Sequence, residues 1–352
     1  MKKTILIRCD AAPAIGFGHV VRCLALADEL RGHHDWQVEF AMVQGPQGVA
    51  QVREKGYWVH QPLALLQSGN DEGEWLQAVA TRTQARVLML DVRTELIAEA
   101  VQAIRKQGVL IVTLDDPSER RLAADLAFYP PVPQVERLDW TGFSGRRFVG
   151  WDWIPLRREF AHARKLVKQR PIRQLGSQLR ILVTMGGSDP AGLTLLVLKA
   201  LDSLTGELDV QVVLGGGFMH EKVLNEWLVT VRRTYTIEHD VDDMTTLMMQ
   251  SDMAVASFGV TAYELAVMGV PAVYLCLTPD HAESASALMN AGIAVSLGDY
   301  QHLRKKELIG TIVKLLSDVP IRQRMSRRSR ENIDGLGAER IARQMISTFS
   351  LS

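Results

Sequence analysis

Short apolar runs alternate with amphipathic segments along most of the chain. In the first half the apolar runs are ILIRC, WQVEFAMV, YWVH, RVLMLDV, GVLIVTLDD and DLAFYP. The segment after the first run places its apolar residues on one helical face, at Val20, Cys23, Leu24, Ala27 and Leu30. A strand, a glycine-containing turn and a helix that repeat in this order are typical of βαβ units and predict a parallel sheet.

The alternation pauses near the middle of the chain and then starts again. The pause is the proline- and aromatic-rich segment YPPVPQVERLDWTGFSGRRFVGWDWIPLRREF, and the polar segment from Lys168 to Gln178 has the composition of a linker. Further strands are predicted at LRILVT, LDVQVVL, YTIEH, MAVAS and PAVYLCL, with a helix over 189–204 after the first of them. A last helical pattern covers residues 336–350.

These patterns predict an α/β protein with two Rossmann-like, doubly wound domains that face each other across a cleft. We expect the first domain over residues 1–165 and the second over residues 178–335. Residues 336–352 are expected to form a C-terminal helix that can pack back on the first domain.

Composition narrows the class of protein. Lysine and arginine number 40 and aspartate and glutamate number 40, so no excess charge points to nucleic acid or to an anionic membrane. The three cysteines are scattered in apolar surroundings and are predicted to be buried thiols. No apolar stretch approaches about 18 residues, and the N-terminal run is too charged for a signal peptide. We expect a cytoplasmic, monomeric protein without a membrane span, metal or cofactor.

A first glycine turn lies in IGFGHVVRCLALADEL. Gly16 and Gly18 allow a tight turn and a close approach of the backbone to a ligand, and the helix predicted to begin near His19 presents its N–H groups to an anion. Val21 occupies the third glycine position of the dinucleotide-binding motif, which excludes that motif. An ordinary strand–helix turn is the alternative. Because histidine is the side chain that ordinarily changes charge near neutral pH, His19 is a candidate base at the ligand-facing edge of the sheet.

Two more glycine turns follow strands in the second half. In MGGSDP, Gly186, Gly187 and Ser188 form either a phosphate cradle or a capped loop. In SFGVTAYELAVMGVPAV, a nucleotide diphosphate is predicted on the N–H groups at the start of a helix, with a glutamate accepting from ribose hydroxyls. The alternative is a capping box, since Thr261 and Glu264 have its spacing. If the nucleotide binds here, the predicted diphosphate site comprises Gly259, Val260 and Thr261, and Glu264 is the glutamate near the ribose.

Other aspartates are weaker candidates. Asp240 and Asp242 resemble a metal-binding D-x-D pair, but their place between a strand and a helix favours helix capping. Asp115 and Asp116 end a strand and either line the cleft or start a turn. The sequence contains no Ser/His/Asp triad motif, nucleophile elbow or P-loop.

The segment RCDAAPAIGFGHVVRCLALADEL resembles the N-terminal signature of the PseG/SpsG family, which contains UDP-sugar hydrolases of pseudaminic acid biosynthesis and related spore-coat polysaccharide proteins. Further matches follow in order and cover most of the chain, at GWDWIPLRREF, ILVTMGGSDPAGLTLLVLKAL, VDDMTTLMMQSDMAVASFGVTAYELAVMGVPAV and NIDGLGAERIA. The resemblance implies the two-domain GT-B fold, with the sugar and catalytic side in the first domain and the nucleotide in the second.

The resemblance also implies a reaction. UDP is released from a UDP-linked 2,4-diacetamido-2,4,6-trideoxy sugar by attack of water at the anomeric carbon, with inversion and without a metal. His19 then positions or activates the water. Arg22 either helps to hold the anion or is a helix-surface arginine. Asp10 is also predicted to bind the substrate.

Three departures from the family pattern bear on the substrate. Ala12 stands where a serine is usual, and Asp91-Val92-Arg93 stands where an Asp-Tyr-type pair is usual. Asp280 and His281 replace an Asn-Gln pair near the sugar, so both become catalytic candidates that alter specificity at the sugar end of the ligand. The alternative for Asp280 is capping of a helix that begins near Ala282.

Three functions fit these observations. The first is a hydrolase of a UDP-linked deoxyamino sugar. The second is a GT-B glycosyltransferase that passes the sugar from a UDP-linked donor to an acceptor hydroxyl. The third is a non-catalytic protein that binds nucleotide sugars, against which the histidine in its glycine turn argues.

Overall fold

The structure is a computed structural model that describes residues 2–11, 16–33, 36–166, 178–231 and 233–351. The chain divides into two compact units. Unit 1 comprises Met1–Arg158 with Gly335–Ser352, and unit 2 comprises Glu159–Asp334. Of the predicted linker, only Gln178 lies within the described residues. Ala12, which departs from the family pattern, also lies outside them.

Strands and helices alternate through both units. The strands in the described ranges are β1 (Lys3–Cys9), β2 (Trp36–Ala41), β3 (Trp58–His60), β4 (Ala85–Asp91), β5 (Leu110–Leu114), β6 (Leu126–Tyr129), β7 (Arg146–Val149), β8 (Leu179–Thr184), β9 (Leu208–Leu214), β10 (Tyr235–His239), β11 (Met253–Ser257), β12 (Ala272–Cys276) and β13 (Ala294–Asp299). The helices are α1 (Gly18–Arg31), α2 (Pro46–Glu54), α3 (Gly69–Arg82), α4 (Ala98–Lys106), α5 (Pro133–Glu136), α6 (Arg158–Leu166), α7 (Leu193–Asp202), α8 (Glu221–Leu228), α9 (Met244–Gln250), α10 (Val260–Val267), α11 (Pro279–Asn290), α12 (Lys305–Ser317), α13 (Val319–Asn332) and α14 (Gly337–Leu351).

Each unit is built on one parallel sheet. Among the described residues, the unit 1 sheet has seven strands in the order β3-β2-β1-β4-β5-β6-β7, and the unit 2 sheet has six in the order β10-β9-β8-β11-β12-β13. In unit 1, Ile7 pairs with Phe40 on one side and with Met89 on the other. The central strands are mostly apolar and buried, as expected where helices cover both faces of a sheet. The predicted α/β class with two doubly wound sheets is confirmed.

Two edge strands, β7 and β13, are not predicted by the apolar pattern. β7 ends the unit 1 sheet and is largely exposed, with two arginines among its four residues. β13 ends the unit 2 sheet and is mostly half-buried. An edge strand needs no continuous apolar run, because its faces are only partly covered.

The helix predicted over 189–204 begins later, at Leu193. Asp189 has a left-handed backbone with φ 44°, which breaks the helix before it starts. Its carboxylate instead accepts hydrogen bonds from the N–H groups of Leu193 at 2.8 Å and Thr194 at 2.9 Å. The aspartate therefore caps α7 from outside the helix.

The C-terminal helix α14 belongs to unit 1. Ile341 and Met345 are fully buried in the same apolar cluster as α1. The first residue of the helix, Gly337, packs directly against the backbone of Ile154. A Cβ at this position would lie 2.1 Å from the carbonyl oxygen of Ile154, so only glycine fits. Phe349 makes an edge contact with Trp36 at a ring-centroid distance of 5.0 Å. The helix thus completes the core of unit 1.

The described helices and the three cysteines bear on the expected absence of a membrane span and on the predicted buried thiols. No helix among the described residues is both long and apolar enough to cross a membrane. Cys9, Cys23 and Cys276 are buried free thiols, as predicted.

Candidate active site

The strand order of unit 1 reverses between β1 and β4, which lie side by side. In open α/β sheets, ligands bind outside the carboxyl ends of the strands at such a point. β1 leads into the first glycine turn and α1, and β4 ends in Asp91. Gly16 has a left-handed backbone with φ 75°, and Gly18 is the first residue of α1, so His19 lies one residue inside the helix.

His19 and Asp91 form a close pair at this edge. Nδ1 of His19 lies 2.6 Å from Oδ1 of Asp91, whose side chain is fully buried, while the His19 side chain is 15% exposed. An ionised carboxylate can only accept hydrogen bonds, so Nδ1 carries a hydrogen and donates it. In the neutral ring Nε2 is then an acceptor. This arrangement fits a general base that is oriented by a carboxylate.

Arg22 holds the other side of the same carboxylate. Its Nε donates to Oδ2 of Asp91 at 2.6 Å, and its Nη2 donates to Oδ1. Burial works against the charge of Asp91, but Arg22 and then His19 outweigh it and keep the pKa of this carboxyl well below its ordinary value. Burial also opposes the charge of Arg22, and Asp91 outweighs that effect, so the pKa of Arg22 lies above its ordinary value. Asp91 and Arg22 are therefore both ionised.

A second carboxylate extends this cluster. Oδ2 of Asp115 lies 3.6 Å from Nη1 of Arg22 and 3.1 Å from Nη2 of Arg93. Asp115 follows β5 and has a left-handed backbone with φ 49°. Asp91 is not among the site residues predicted from the sequence, and Asp115 was open between lining the cleft and starting a turn. Their shared signal is an aspartate at the carboxyl end of an apolar strand.

Asp10, predicted to bind substrate, is engaged within unit 1. It is 2% exposed, and its Oδ2 accepts from Nη2 of Arg8 at 2.7 Å. Its Oδ1 accepts from the N–H groups of Val43 at 2.8 Å and Gln44 at 3.1 Å. These bonds tie the end of β1 to the loop after β2. A contact of Asp10 with substrate remains a prediction.

In unit 2 the strand order reverses between β8 and β11. The turn after β8 contains Gly186, Gly187 and Ser188, and Ser188 is buried. The carbonyl of Gly187 accepts from the N–H of Gly217 at 2.9 Å, and a Cβ on Gly186 would lie 3.4 Å from Oγ of Ser257. The structure thus brings the turns after β8, β9 and β11 together. A shallow polar hollow lies at the opposite ends of β8, β9 and β10 and contains none of the predicted site residues.

The third glycine turn opens α10. Gly259 is the N-cap, and no side chain caps the helix. Thr261 is the second residue of the helix and Glu264 is buried one turn further on. A capping box needs its threonine at the N-cap, so the capping-box alternative is wrong. Val260 and Thr261 are half-buried at the helix start, where the backbone N–H groups and the helix dipole favour an anion.

Asp280 and His281 lie at the start of α11. Thr278 is the N-cap and accepts from the N–H of His281 at 3.1 Å, so capping by Asp280 of a helix near Ala282 is wrong. Asp280 is exposed in the first turn. The ring of His281 lies 6.0 Å from that of Phe258, the residue before Gly259. The structure therefore brings His281 close to the third glycine turn.

The remaining aspartates have local roles. Asp243, rather than Asp240 or Asp242, caps α9 by accepting from the N–H of Thr246. Asp116 accepts from Nε of Arg120 at 3.0 Å and thereby fixes the turn after β5. No group of three or more His, Cys, Asp or Glu side chains suited to a metal ion occurs among the described residues.

Sequence comparison finds relatives over part of the chain. No protein-family model matches it. It is 27% identical over 277 residues to an uncharacterized protein of Methanocaldococcus jannaschii, and 29% identical over 163 residues to the spore coat polysaccharide biosynthesis protein SpsG of Bacillus subtilis. The alignments cover 77% and 46% of the chain, and they span about half of each relative, 55% and 48%.

Solved structures share the fold over nearly the whole chain. MurG of Acinetobacter baumannii superposes with a TM-score of 0.70 at 15% identity, covering 98% of this chain and 99% of that one. S. aureus MnaA, solved with UDP, gives 0.70 at 16% identity, covering 99% and 98%. The UDP-GlcNAc 2-epimerase of Neisseria meningitidis, bound to UDP-GlcNAc, gives 0.64 at 13% identity, covering 98% and 100%. The chain is therefore similar to SpsG over part of its sequence, and it shares the GT-B fold with these solved structures.

Proposed function

We propose that the chain is a hydrolase that releases UDP from a UDP-linked deoxyamino sugar, in the biosynthesis of pseudaminic-acid-type or related surface sugars. The observation that carries this proposal is the pair of His19 and Asp91 at the carboxyl edge of the unit 1 sheet, in which Nδ1 is bonded to the carboxylate and Nε2 of the part-exposed ring is left as the acceptor. The similarity to SpsG, and to structures solved with UDP or UDP-GlcNAc, supports a nucleotide-linked sugar as the substrate.

In the proposed step, the oxygen of a water molecule bonds to the anomeric carbon as the bond from that carbon to the phosphate oxygen breaks. UDP leaves with the electron pair of the broken bond, and Nε2 of His19 takes the proton of the water. Asp91 stabilises the imidazolium that forms. The proton then passes to solvent. Water enters opposite to UDP, so the configuration inverts.

For the nucleotide we propose the start of α10 in unit 2. Gly259 has no side chain that competes for the first N–H groups, so the helix start can accept a diphosphate, with Val260 and Thr261 beside it. The buried carboxylate of Glu264 would accept from the ribose hydroxyls. Gly186, Gly187 and Ser188 lie at the same end of the sheet and belong to this proposed site.

Glu264→Gln is expected to weaken UDP binding by roughly 10- to 100-fold, because a hydrogen bond to a charged acceptor contributes about 1.5–3 kcal/mol. Isothermal titration calorimetry measures the affinity, and thermal unfolding measures stability. Glu238→Gln, which changes a carboxylate on β10 that accepts from Gln211, is the matched control and should bind UDP as the parent does. Parental UDP affinity in Glu264→Gln would exclude the ribose contact.

A glycosyltransferase that uses a UDP-sugar donor is the second candidate. The exposed carboxylate of Asp280 favours it, because an acidic group near the anomeric carbon can take a proton from an acceptor hydroxyl. In that case His281 and Asp280 would set the preference for the sugar and its acceptor.

The proposals are separated by incubating the protein with UDP-sugars in the absence of an acceptor and measuring free UDP. A hydrolase is expected to release UDP and free sugar in equal amounts, and NMR of the fresh product reports inversion. Release of UDP only after an acceptor is added would replace the hydrolase by the glycosyltransferase. Tight UDP binding without release under either condition would leave the binding-protein hypothesis.

A further inference from the structure

The guanidinium of Arg22 contacts side chains of unit 1 with three of its nitrogens. Nε and Nη2 face the two oxygens of Asp91, and Nη1 faces Asp115. Nη2 also lies 3.1 Å from Nδ1 of His19. Because Nδ1 donates its hydrogen to Asp91, this last contact places a positive charge beside a donor and is not a hydrogen bond. Arg22 is thus directed at the carboxylate that orients His19, whereas the sequence left it open between holding the anion and lying on the helix surface.

The charges around His19 oppose one another. A carboxylate 2.6 Å from an imidazole favours the protonated ring, and a protonated ring cannot act as a base. The other titratable groups at this edge are the guanidinium groups of Arg22 and Arg93, the carboxylate of Asp115, and the buried thiols of Cys9 and Cys23. The two guanidinium groups balance the two carboxylates in formal charge. Of the two, only Arg22 contacts Asp91 and His19 directly among the described contacts.

We propose that Arg22 is a positioning residue that offsets the charge of Asp91 and so keeps His19 unprotonated and able to accept a proton at neutral pH. The proposal rests on the role of His19 as the base in the proposed function. Arg22 acts through Asp91 and His19 and does not bind the anionic part of the substrate.

Asp115 fixes the position of Arg22 from the opposite side. Its left-handed backbone is a conformation that aspartate tolerates better than most residues. The backbone N–H of Asp115 donates to the carbonyl of Phe128 at 2.8 Å, which anchors the residue to β6. The guanidinium of Arg22 is therefore held between the ends of β4 and β5.

The test is an NMR titration of the histidine rings in the unliganded protein, with the His19 signal assigned by its loss in His19→Ala. In Arg22→Gln the midpoint of the His19 titration is expected to rise by about one pH unit or more, because a neighbouring positive charge has been removed. Arg22→Lys retains the charge and should keep the midpoint near that of the parent. Arg93→Gln removes a guanidinium from the same edge without touching Asp91 and is the matched control.

The pH dependence of turnover should shift in the same direction as the His19 titration. Arg22→Gln should lose turnover at pH 7 and recover it toward pH 9, with an unchanged KM for the UDP-sugar. Asp115→Asn removes a negative charge, so the midpoint should stay or fall. An unchanged midpoint in folded Arg22→Gln, with a raised KM, would overturn the proposal in favour of anion binding. A raised midpoint in a protein that releases no UDP would refute the proposed function and leave the electrostatic role of Arg22 established.

Discussion

Replacement of His19 by alanine is expected to lower turnover of the UDP-sugar by roughly 10²–10⁴-fold while leaving the affinity for UDP unchanged. The imidazole is the only proton acceptor that the proposed step uses, and its Nδ1 is already bonded to Asp91. The nucleotide is proposed to bind in unit 2, so its affinity should not depend on this side chain. Steady-state kinetics and calorimetry with UDP measure the two quantities separately.

His33→Ala is the matched control, because it removes an exposed imidazole just beyond the other end of the same helix. This variant should retain the parental turnover. The pH–rate profile of His19→Ala should also lack one ionisation in the neutral range. A His19→Ala variant that keeps most of its turnover would return the residue to a structural role.

Replacement of Asp91 by asparagine is expected to reduce both activity and stability. Asparagine can offer its N–H₂ group to Nδ1, which permits the wrong tautomer of His19, and turnover should fall by roughly 10²–10⁴-fold. The change also leaves Arg22 without its ionised partner. The free energy of unfolding should fall by about 3 kcal/mol, the low end for one half of a buried ion pair, because Arg22 is partly exposed. Denaturant titration measures this loss.

The same variant should alter the pH dependence of stability. The pKa of Asp91 is lowered in the folded protein from an ordinary value of 3.8, so the unfolded chain takes up the proton first as the pH falls. The stabilisation is complete above about pH 5 and is lost progressively below it. Asp91→Asn should therefore show a smaller loss of stability between pH 5 and pH 3 than the parent.

Asp116→Asn provides the control for this pair of effects. Asp116 and Arg120 form a buried ion pair at the end of β5, close to the same sheet edge, and neither contacts His19 in the described hydrogen bonds. Its replacement should reduce stability to a similar degree with little effect on turnover. Equal losses of turnover in both variants would show that the loss follows from destabilisation rather than from the position of Asp91.

The apolar pattern predicted most of the fold because central strands of a parallel sheet are buried on both faces. β1, β4 and β11 therefore contain uninterrupted apolar runs, Ile5–Ile7, Val87–Leu90 and Met253–Ala256, which predict strands without further information. The pattern failed where burial is partial, at β7 and β13, and where a side chain replaces a helical turn, at Asp189. These features depend on neighbours that are distant along the chain.

The candidate site could be predicted only in part, for the same reason. His19 stood out because two glycines and a helix start surround it. Asp91 is 72 residues away, and its role became visible only when β4 was seen to pair with β1. Asp10 shows the converse case, because it directly follows β1 as a ligand-binding residue would, yet its carboxylate is engaged by Arg8 and the loop after β2. Proximity to a strand end does not show which way a side chain points.

The return of α14 to unit 1 has a consequence for protein synthesis. Unit 2 is continuous along the chain, whereas unit 1 needs residues from both sides of it. A ribosome therefore synthesises the whole of unit 2 before it makes the last part of the unit 1 core. In the folded protein, Ile341, Met345 and Phe349 cover an apolar surface formed by α1 and Trp36. Until α14 emerges from the ribosome, that surface stays exposed to water or to a chaperone. The unit whose synthesis begins first is thus the one whose core is completed last.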